Sequence, residues 1–158
     1  MKRLFCALVI FALALSCSIS GFAHNDVNYS CLTADFSAIE YFSDGSYAIT
    51  RIEDIEITSK GTVTKSKTYS YYDSSNVLQW TVILEATFSY NGSSATCTSA
   101  TTGYAVSNSA WKVTKANASR SGNTATGDFT VKKYVLLVPV QTVNKTLTLT
   151  CSASGVVS

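Results

Sequence analysis

The strongest structural signal in the chain is VLQWTVILEATFSY, residues 77–90. Its even-numbered positions from Leu78 to Tyr90 are all apolar or aromatic, while the odd-numbered positions between them are polar apart from Ile83. A repeat of two is typical of a β-strand with one buried face, because a helix repeats every ~3.6 residues. Asn91-Gly92 follows directly and favours a tight hairpin turn. The stretch therefore predicts a long strand that pairs with an antiparallel neighbour.

Further strands are predicted on both sides of this stretch. Strand-like segments lie near 46–58, 62–72, 94–100, 104–107, 111–118, 124–137 and 140–151. Strands separated by turns, with no long helical pattern, indicate an antiparallel all-β domain. We expect a two-sheet sandwich, immunoglobulin-like or similar, of about seven to nine strands, with a small β-barrel as the alternative. A single domain is predicted at residues 46–158, after a poorly ordered leader at 24–45.

The first 23 residues have the pattern of a secretory signal peptide. Met1-Lys2-Arg3 is basic, Leu4 to Leu15 is an apolar run, and Gly21-Phe22-Ala23 offers small residues to a signal peptidase. We therefore expect a secreted, extracellular protein with no membrane span in its mature chain. Two alternatives stay open: a membrane anchor, for which the apolar run is short, and a lipid anchor through Cys17.

Removal of that segment changes the charge. Lys2 and Arg3 account for the difference between 12 basic and 10 acidic residues, so the mature chain is formally neutral. Hydroxyls replace charges, with 20 Ser and 20 Thr after residue 23. Nucleic acid is not expected as a partner, because its phosphates require clustered Lys and Arg. The net charge also gives no basis for attraction to an anionic membrane.

Three cysteines remain outside the signal segment: Cys31, Cys97 and Cys151. None forms a CxxC pair and His24 is the only histidine, so a structural zinc site is not expected. In an exported chain, three cysteines indicate one disulfide and one spare thiol. We favour Cys97 with Cys151 among the three possible pairings, because both occupy strand-like segments. The alternative is that these two are buried and reduced.

Side chains suited to catalysis are scarce. His24 is the predicted first mature residue, so triads and metal motifs that need histidine are not expected in the domain. A carboxylate-based hydrolase using Glu53, Glu56 or Glu85 is the weakest functional alternative, since a glycosidase requires two carboxyls across one cleft. We therefore expect a protein that is not an enzyme, with no catalytic residue, no cofactor and no metal.

Aromatic residues supply the candidate binding residues. Tyrosine suits a sugar- or peptide-binding face because it combines rigid apolar area with a hydroxyl. The candidates are Tyr69, Tyr71, Tyr72, Tyr90, Tyr104 and Tyr134. The alternative is that most of them are ordinary half-buried strand residues, and Trp80 and Trp111 are expected in the core. Four lysines could form a basic stripe or protect edge strands: Lys65, Lys67, Lys132 and Lys133.

The stretch from Trp80 to Cys151 resembles a family of small, functionally uncharacterised exported proteins of Gram-positive Firmicutes. The resemblance lies in Trp80-Thr81-Val82, the run from Ala86 to Ser94, Cys97, the block from Ser109 to Val113, Val140-Gln141-Thr142-Val143, and Leu149 to Ala153. It covers about half of the mature chain. It implies an exported β-rich domain from a Gram-positive bacterium with a Cys97–Cys151 link, and it implies no activity.

We therefore expect an exported, non-enzymatic β-sandwich that acts as a binding or interaction module at the cell wall or outside the cell. Its partner is unknown, and a cell-wall glycan, host glycan or protein would fit. The alternative function is a secreted antimicrobial or toxin-like effector, a class that also uses small β-sandwiches.

Overall fold

The computed structural model of the chain describes residues 35–56 and 61–158, and these residues form eight antiparallel strands. The strands are β1 Asp35–Tyr41, β2 Tyr47–Glu56, β3 Thr62–Tyr72, β4 Leu78–Tyr90, β5 Ala95–Val106, β6 Trp111–Ser121, β7 Thr124–Val135 and β8 Val138–Thr150. They build a five-stranded sheet in the order β1-β2-β3-β4-β5 and a three-stranded sheet in the order β6-β7-β8. The prediction of a two-sheet, antiparallel all-β fold is confirmed.

The strand order is that of a simple meander. Within each sheet, every strand pairs with its neighbour in the chain, from β1 with β2 to β4 with β5 and from β6 with β7 to β7 with β8. Immunoglobulin domains connect their strands by Greek-key crossovers instead, so the immunoglobulin-like example given above is not the topology found. The β5–β6 connection passes from one sheet to the other, and the described strands form two separate sheets and not one closed barrel.

The central strand β4 behaves as its sequence predicts. Trp80, Val82, Leu84 and Phe88 are fully buried, while Glu85 on the opposite face is exposed. This buried face packs against β7 and β8 of the smaller sheet. The smaller sheet contributes its own buried side chains to the same core: Trp111, Ala125, Phe129, Val131, Leu147 and Leu149. The prediction that both tryptophans lie in the core is confirmed.

The N-terminal boundary of the domain differs from the prediction. Asp35–Tyr41 forms β1, which pairs antiparallel with β2 from Asp35 opposite Ile52 to Tyr41 opposite Tyr47. The stretch 24–45 therefore contains a sheet strand, which adds β1 to the edge of the sheet beside β2. The predicted break near Asp54 is confirmed as a register shift between Asp54 and Glu56.

Several predictions fall on other parts of the chain. The signal segment 1–23, Cys17, His24 and Cys31 lie outside the described residues. Within the described residues, no helix is long and apolar enough to cross a membrane.

Candidate interaction surface at the end of the β7–β8 hairpin

The turn between β7 and β8 consists of two leucines. Val135 pairs with Val138, so Leu136 and Leu137 form a two-residue hairpin loop. Their φ angles are 48° and 71°, which is the pattern of a type I′ turn. Their exposed fractions are 92% and 88%. Two large apolar side chains therefore project into solvent from the end of the smaller sheet.

This turn uses residues that the backbone does not favour. Type I′ turns prefer Asn-Gly because both central residues have positive φ, and for a residue with a Cβ that conformation costs about 1–2 kcal/mol. The other positive-φ positions among the described residues are glycines or Asn76. Only Leu136 and Leu137 depart from this rule there. Backbone strain of this kind concentrates at functional sites. The two leucines do not stabilise the turn, so a functional role is the better explanation for their presence.

The exposed leucines continue into a larger apolar surface. Val135, Val138 and Val140 are each more than half exposed. We refer to these three valines together with Leu136 and Leu137 as the apolar tip. Beside it, an open depression of about 550 Å³ is lined by Ser109, Ala110, Lys112, Tyr134, Leu136 and Leu137. Contiguous exposed apolar surface on a small domain is characteristic of an interaction site.

A pair of lysines stands behind the apolar tip. Lys112 of β6 lies directly opposite Lys132 of β7 in the strand register, and we call these two residues the lysine pair. The ion pairs among residues 35–56 and 61–158 use Lys65, Lys115 and Lys145, so neither member contacts a carboxylate there. Like charges directly opposite each other destabilise a sheet. An anion bound between them would remove that repulsion.

Tyr134 joins the lysine pair to the apolar tip. Its ring lies under the ammonium group of Lys112, with 5.4 Å between Nζ and the ring centroid. Lys133, the next residue back along β7, stands over the Trp111 ring at 5.8 Å. Along β7 towards the turn, the side chains are thus first basic, then aromatic and then aliphatic.

The prediction of a tyrosine binding face is wrong for two of its six residues. The strand register places Tyr69 opposite Val82 and Tyr71 opposite Trp80, so both side chains point into the core and are buried. The Tyr71 ring stacks on Trp80 at 5.3 Å. Burial raises the pKa of the Tyr69 hydroxyl, and the nearby carboxylate of Glu40 raises it further.

The remaining four predicted tyrosines do not form one face. Tyr90 is half-buried against Gly155, and Tyr104 is exposed on the edge strand β5. Tyr134 lies beside the apolar tip. Tyr72 stacks on Tyr47 with ring centroids 4.9 Å apart.

That last contact belongs to a row of tyrosines that sequence reasoning missed. Tyr41 lies opposite Tyr47, which lies opposite Tyr72, across β1, β2 and β3. The Tyr41 and Tyr47 rings are 6.0 Å apart, and Tyr41 is 75% exposed. Tyr41 and Tyr47 could have been found only by knowing the strand register, because their spacing in the sequence carries no signal.

A polar cleft of about 180 Å³ lies near Trp111 and contains two carboxylates, Asp44 and Asp73. Both are occupied by local hydrogen bonds. Ser46 donates to Asp44 through its hydroxyl and its backbone N–H, and these bonds lower the pKa of Asp44. Asp73 accepts hydrogen bonds from two backbone N–H groups and from the side-chain amide of Gln79. Both carboxylates therefore belong to local hydrogen-bond networks, one with Ser46 and one with the backbone of residues 75–77 and the side chain of Gln79.

Two of the carboxylates proposed above for a hydrolase, Glu53 and Glu85, lie on the strands that flank β3. Glu53 and Glu85 both lie opposite Ser66, one on each side of β3. They are therefore separated by two strand spacings, about 10 Å, on the face of the sheet that points away from the core. The side chain of Glu56 lies outside the described residues. Among those residues, no group of three or more His, Cys, Asp or Glu side chains is placed to hold a metal ion.

Cys97 and Cys151 are brought to the same place in the sandwich as free, buried thiols. The N–H of Cys97 donates to the carbonyl of Gly122 at 2.8 Å, and that of Cys151 donates to the carbonyl of Asn123 at 3.0 Å. Both residues thus contact consecutive residues of the β6–β7 turn. Burial raises the pKa of each thiol, and proximity to Cys97 raises that of Cys151 further.

The predicted basic stripe is divided between the two sheets. Lys65 forms an ion pair with Asp54, and the ammonium group of Lys67 donates to the carbonyl of Thr148 at 3.0 Å. Lys132 and Lys133 lie on β7 of the other sheet. Of these four lysines, only the two on β7 belong to the same hairpin as the apolar tip.

No family model, no curated protein and no solved structure matches this chain. The resemblance of residues 80–151 to exported Firmicutes proteins therefore stays a prediction.

Proposed function

We propose that this protein is an exported, non-enzymatic binding module that contacts its target through the apolar tip. The observation that carries the proposal is the pair Leu136 and Leu137, 92% and 88% exposed in a turn whose backbone favours Asn-Gly. The predicted export signal at residues 1–23 supports an extracellular site of action.

The energetics favour a contact role for the leucines. Burying a leucine side chain contributes about 1.5–3 kcal/mol, and in the isolated domain neither leucine obtains this contribution. Their positive φ angles instead cost stability. A residue pair that weakens the domain alone and gains free energy only when covered is best explained by a partner.

An enzymatic role has weaker support. Asp44 and Asp73 share a cleft, but each accepts several hydrogen bonds from its own loop. Hydrogen bonds from Ser46 lower the pKa of Asp44, whereas a glycosidase requires one carboxyl that stays protonated as a general acid.

We also propose that Cys97 and Cys151 form a disulfide in the exported protein. Their backbones contact neighbouring residues of one turn, and the bond would join β5 of the larger sheet to the end of β8 in the smaller one. Exported proteins encounter conditions in which such bonds persist. The raised pKa values of both thiols make exchange slow once the sandwich has formed, so we expect the bond to form during folding.

The function is tested by depletion from solution. Purified peptidoglycan, purified glycans, host matrix and isolated bacterial membranes are each incubated with the wild type and with the double variant Leu136→Asn/Leu137→Gly. The matched control is Val156→Thr, which alters an exposed apolar residue beyond the far end of β8. We expect at least one material to deplete the wild type and the control but not the double variant. Equal depletion of all three proteins, or depletion by none of the materials, would contradict the proposal.

A further inference from the structure

We infer that the target of the apolar tip is the surface of an anionic lipid bilayer. This inference rests on the proposed function, because it assigns a partner to the same tip. Its basis is the order of chemistry along the end of β7, the unpaired charges beside it and the projecting shape of the tip.

The order of side chains along β7 matches the layers of a bilayer surface. Lys132 and Lys133 precede Tyr134, which precedes Val135 and Leu136. At about 3.4 Å per strand residue, Lys132 lies about 14 Å behind Leu136. Lipid phosphates, the interface and the outer acyl chains follow in the same order over a similar depth, and an apolar face enters that boundary by about 5–10 Å. Tyrosine is enriched at the membrane–water interface, between phosphates and acyl chains, because its side chain is amphipathic.

The hairpin can enter this environment without exposing many backbone groups. Val135 and Val138 pair directly on either side of the two-residue turn and Tyr134 pairs with Pro139, so the end of the hairpin is paired beyond the register shift at Val140. Unsatisfied N–H and C=O groups are costly in lipid. A closed two-residue turn keeps their number low, and a longer irregular loop would not.

The lysine pair supplies the charge preference. Lys112 and Lys132 lie opposite each other without a carboxylate at ion-pair distance in the described residues. A lipid phosphate between them would offset their repulsion. Basic residues near an anionic leaflet strengthen binding about fivefold each. The mature chain is neutral as a whole, so this attraction is local and does not follow from the net charge.

A protein partner fits these observations less well. Stable protein interfaces bury about 1,200–2,000 Å² with matched shapes, whereas the tip is a narrow hairpin end with five aliphatic side chains. A bilayer surface requires no shape complementarity and accommodates a projecting apolar end. Lipid therefore accounts for both the shape of the tip and its lysine pair.

The test is co-sedimentation with vesicles. The purified protein is mixed with vesicles of phosphatidylcholine alone, or with about one third phosphatidylglycerol. We expect binding to the anionic vesicles, reduced at least about tenfold by Leu136→Asn/Leu137→Gly because the inserted apolar area is lost. The variant Lys112→Gln/Lys132→Gln should reduce it about 25-fold on anionic vesicles, from about fivefold per lysine. Arg51→Gln, an exposed arginine of β2, is the charge control and should bind as the wild type does.

The outcomes separate the inference from the proposed function. Tip-dependent depletion by peptidoglycan, glycan or host matrix without vesicle binding would overturn the lipid assignment and leave the binding module intact. Vesicle binding that is unchanged in the tip variant, or equal on both vesicle types, would also overturn it. Concentration-dependent self-association that the tip variant abolishes, without vesicle binding, would assign the tip to a second copy of the chain. Loss of tip-dependent binding to every material would remove the proposed function as well.

Discussion

Replacing Leu136-Leu137 by Asn-Gly should make the isolated domain more stable while abolishing binding. The two leucines occupy φ angles of 48° and 71°, and each pays about 1–2 kcal/mol for that conformation. Asn tolerates the left-handed region and Gly adopts it freely. Little burial is lost, because the leucines are 92% and 88% exposed. The substitution therefore relieves about 2–4 kcal/mol of backbone strain.

Part of this gain is offset in the unfolded state. A glycine in the unfolded chain has more conformational freedom than a leucine, and this lowers the free energy of unfolding by about 0.5–1 kcal/mol. The net stabilisation is about 1–3.5 kcal/mol, and at about 4 °C per kcal/mol for a domain of this size the melting temperature should rise by about 4–14 °C. Thermal denaturation followed by circular dichroism, with urea unfolding as a second measurement, gives both quantities.

The matched control is Leu136→Ala/Leu137→Ala. Alanine removes the apolar bulk but keeps the Cβ, so the positive-φ cost remains. This control should bind as poorly as the Asn-Gly variant yet melt close to the wild type. An Asn-Gly variant that melts at or below the alanine variant would refute the argument that the turn is strained for the sake of contact.

Three further predictions concern the body of the domain. Under oxidising conditions, Cys97→Ser should lower the stability by about 4 kcal/mol, because the bond closes the loop from residue 97 to residue 151. The difference from the wild type should shrink in reductant, and equal melting temperatures in oxidant would show that the pairing is wrong. For Tyr69, the folded pKa is raised by burial and then by Glu40, so the unfolded chain loses its proton first and stability should fall as the pH rises above about 10. Urea midpoints between about pH 8 and 11 should show a shallower fall in Tyr69→Phe, and parallel curves would contradict this. Gly127→Ala should destabilise the core, since its Cβ would lie 3.0 Å from the Phe129 ring and 3.3 Å from Leu84; an unchanged urea midpoint would show that the ring moves aside without cost.

The strands could be predicted because their local pattern and their burial agree. In β4, the alternation from Leu78 to Tyr90 identifies the strand and the face that becomes buried. The tyrosines show the limit of that reasoning. Tyr69 and Tyr71 alternate with polar residues as an exposed binding strand would, and only their register against Val82 and Trp80 shows that they face the core.

The apolar tip was harder to predict for a different reason. Hairpin turns are identified by Gly, Asn or Asp, and Leu136-Leu137 contains none of them. The strand predicted at 124–137 therefore runs through Leu137 with no turn. The available signal was the run YVLLVPV at residues 134–140, which has no alternation and lies between two strands that do alternate. A site selected for contact rather than for folding departs from the turn preference for Gly, Asn or Asp. A method that looks for those residues therefore misses the turn.

The most direct test of the central claim measures whether the tip enters the bilayer. A Leu136→Trp variant is mixed with anionic vesicles that carry bromine on the acyl chains, and its fluorescence is compared with that of a Val156→Trp variant. Both variants retain the buried Trp80 and Trp111 as a constant background. We predict quenching of the tip variant, strongest with bromine near the headgroup end of the chains, and no quenching of the other. Equal quenching of both variants, or none of either, would contradict the claim.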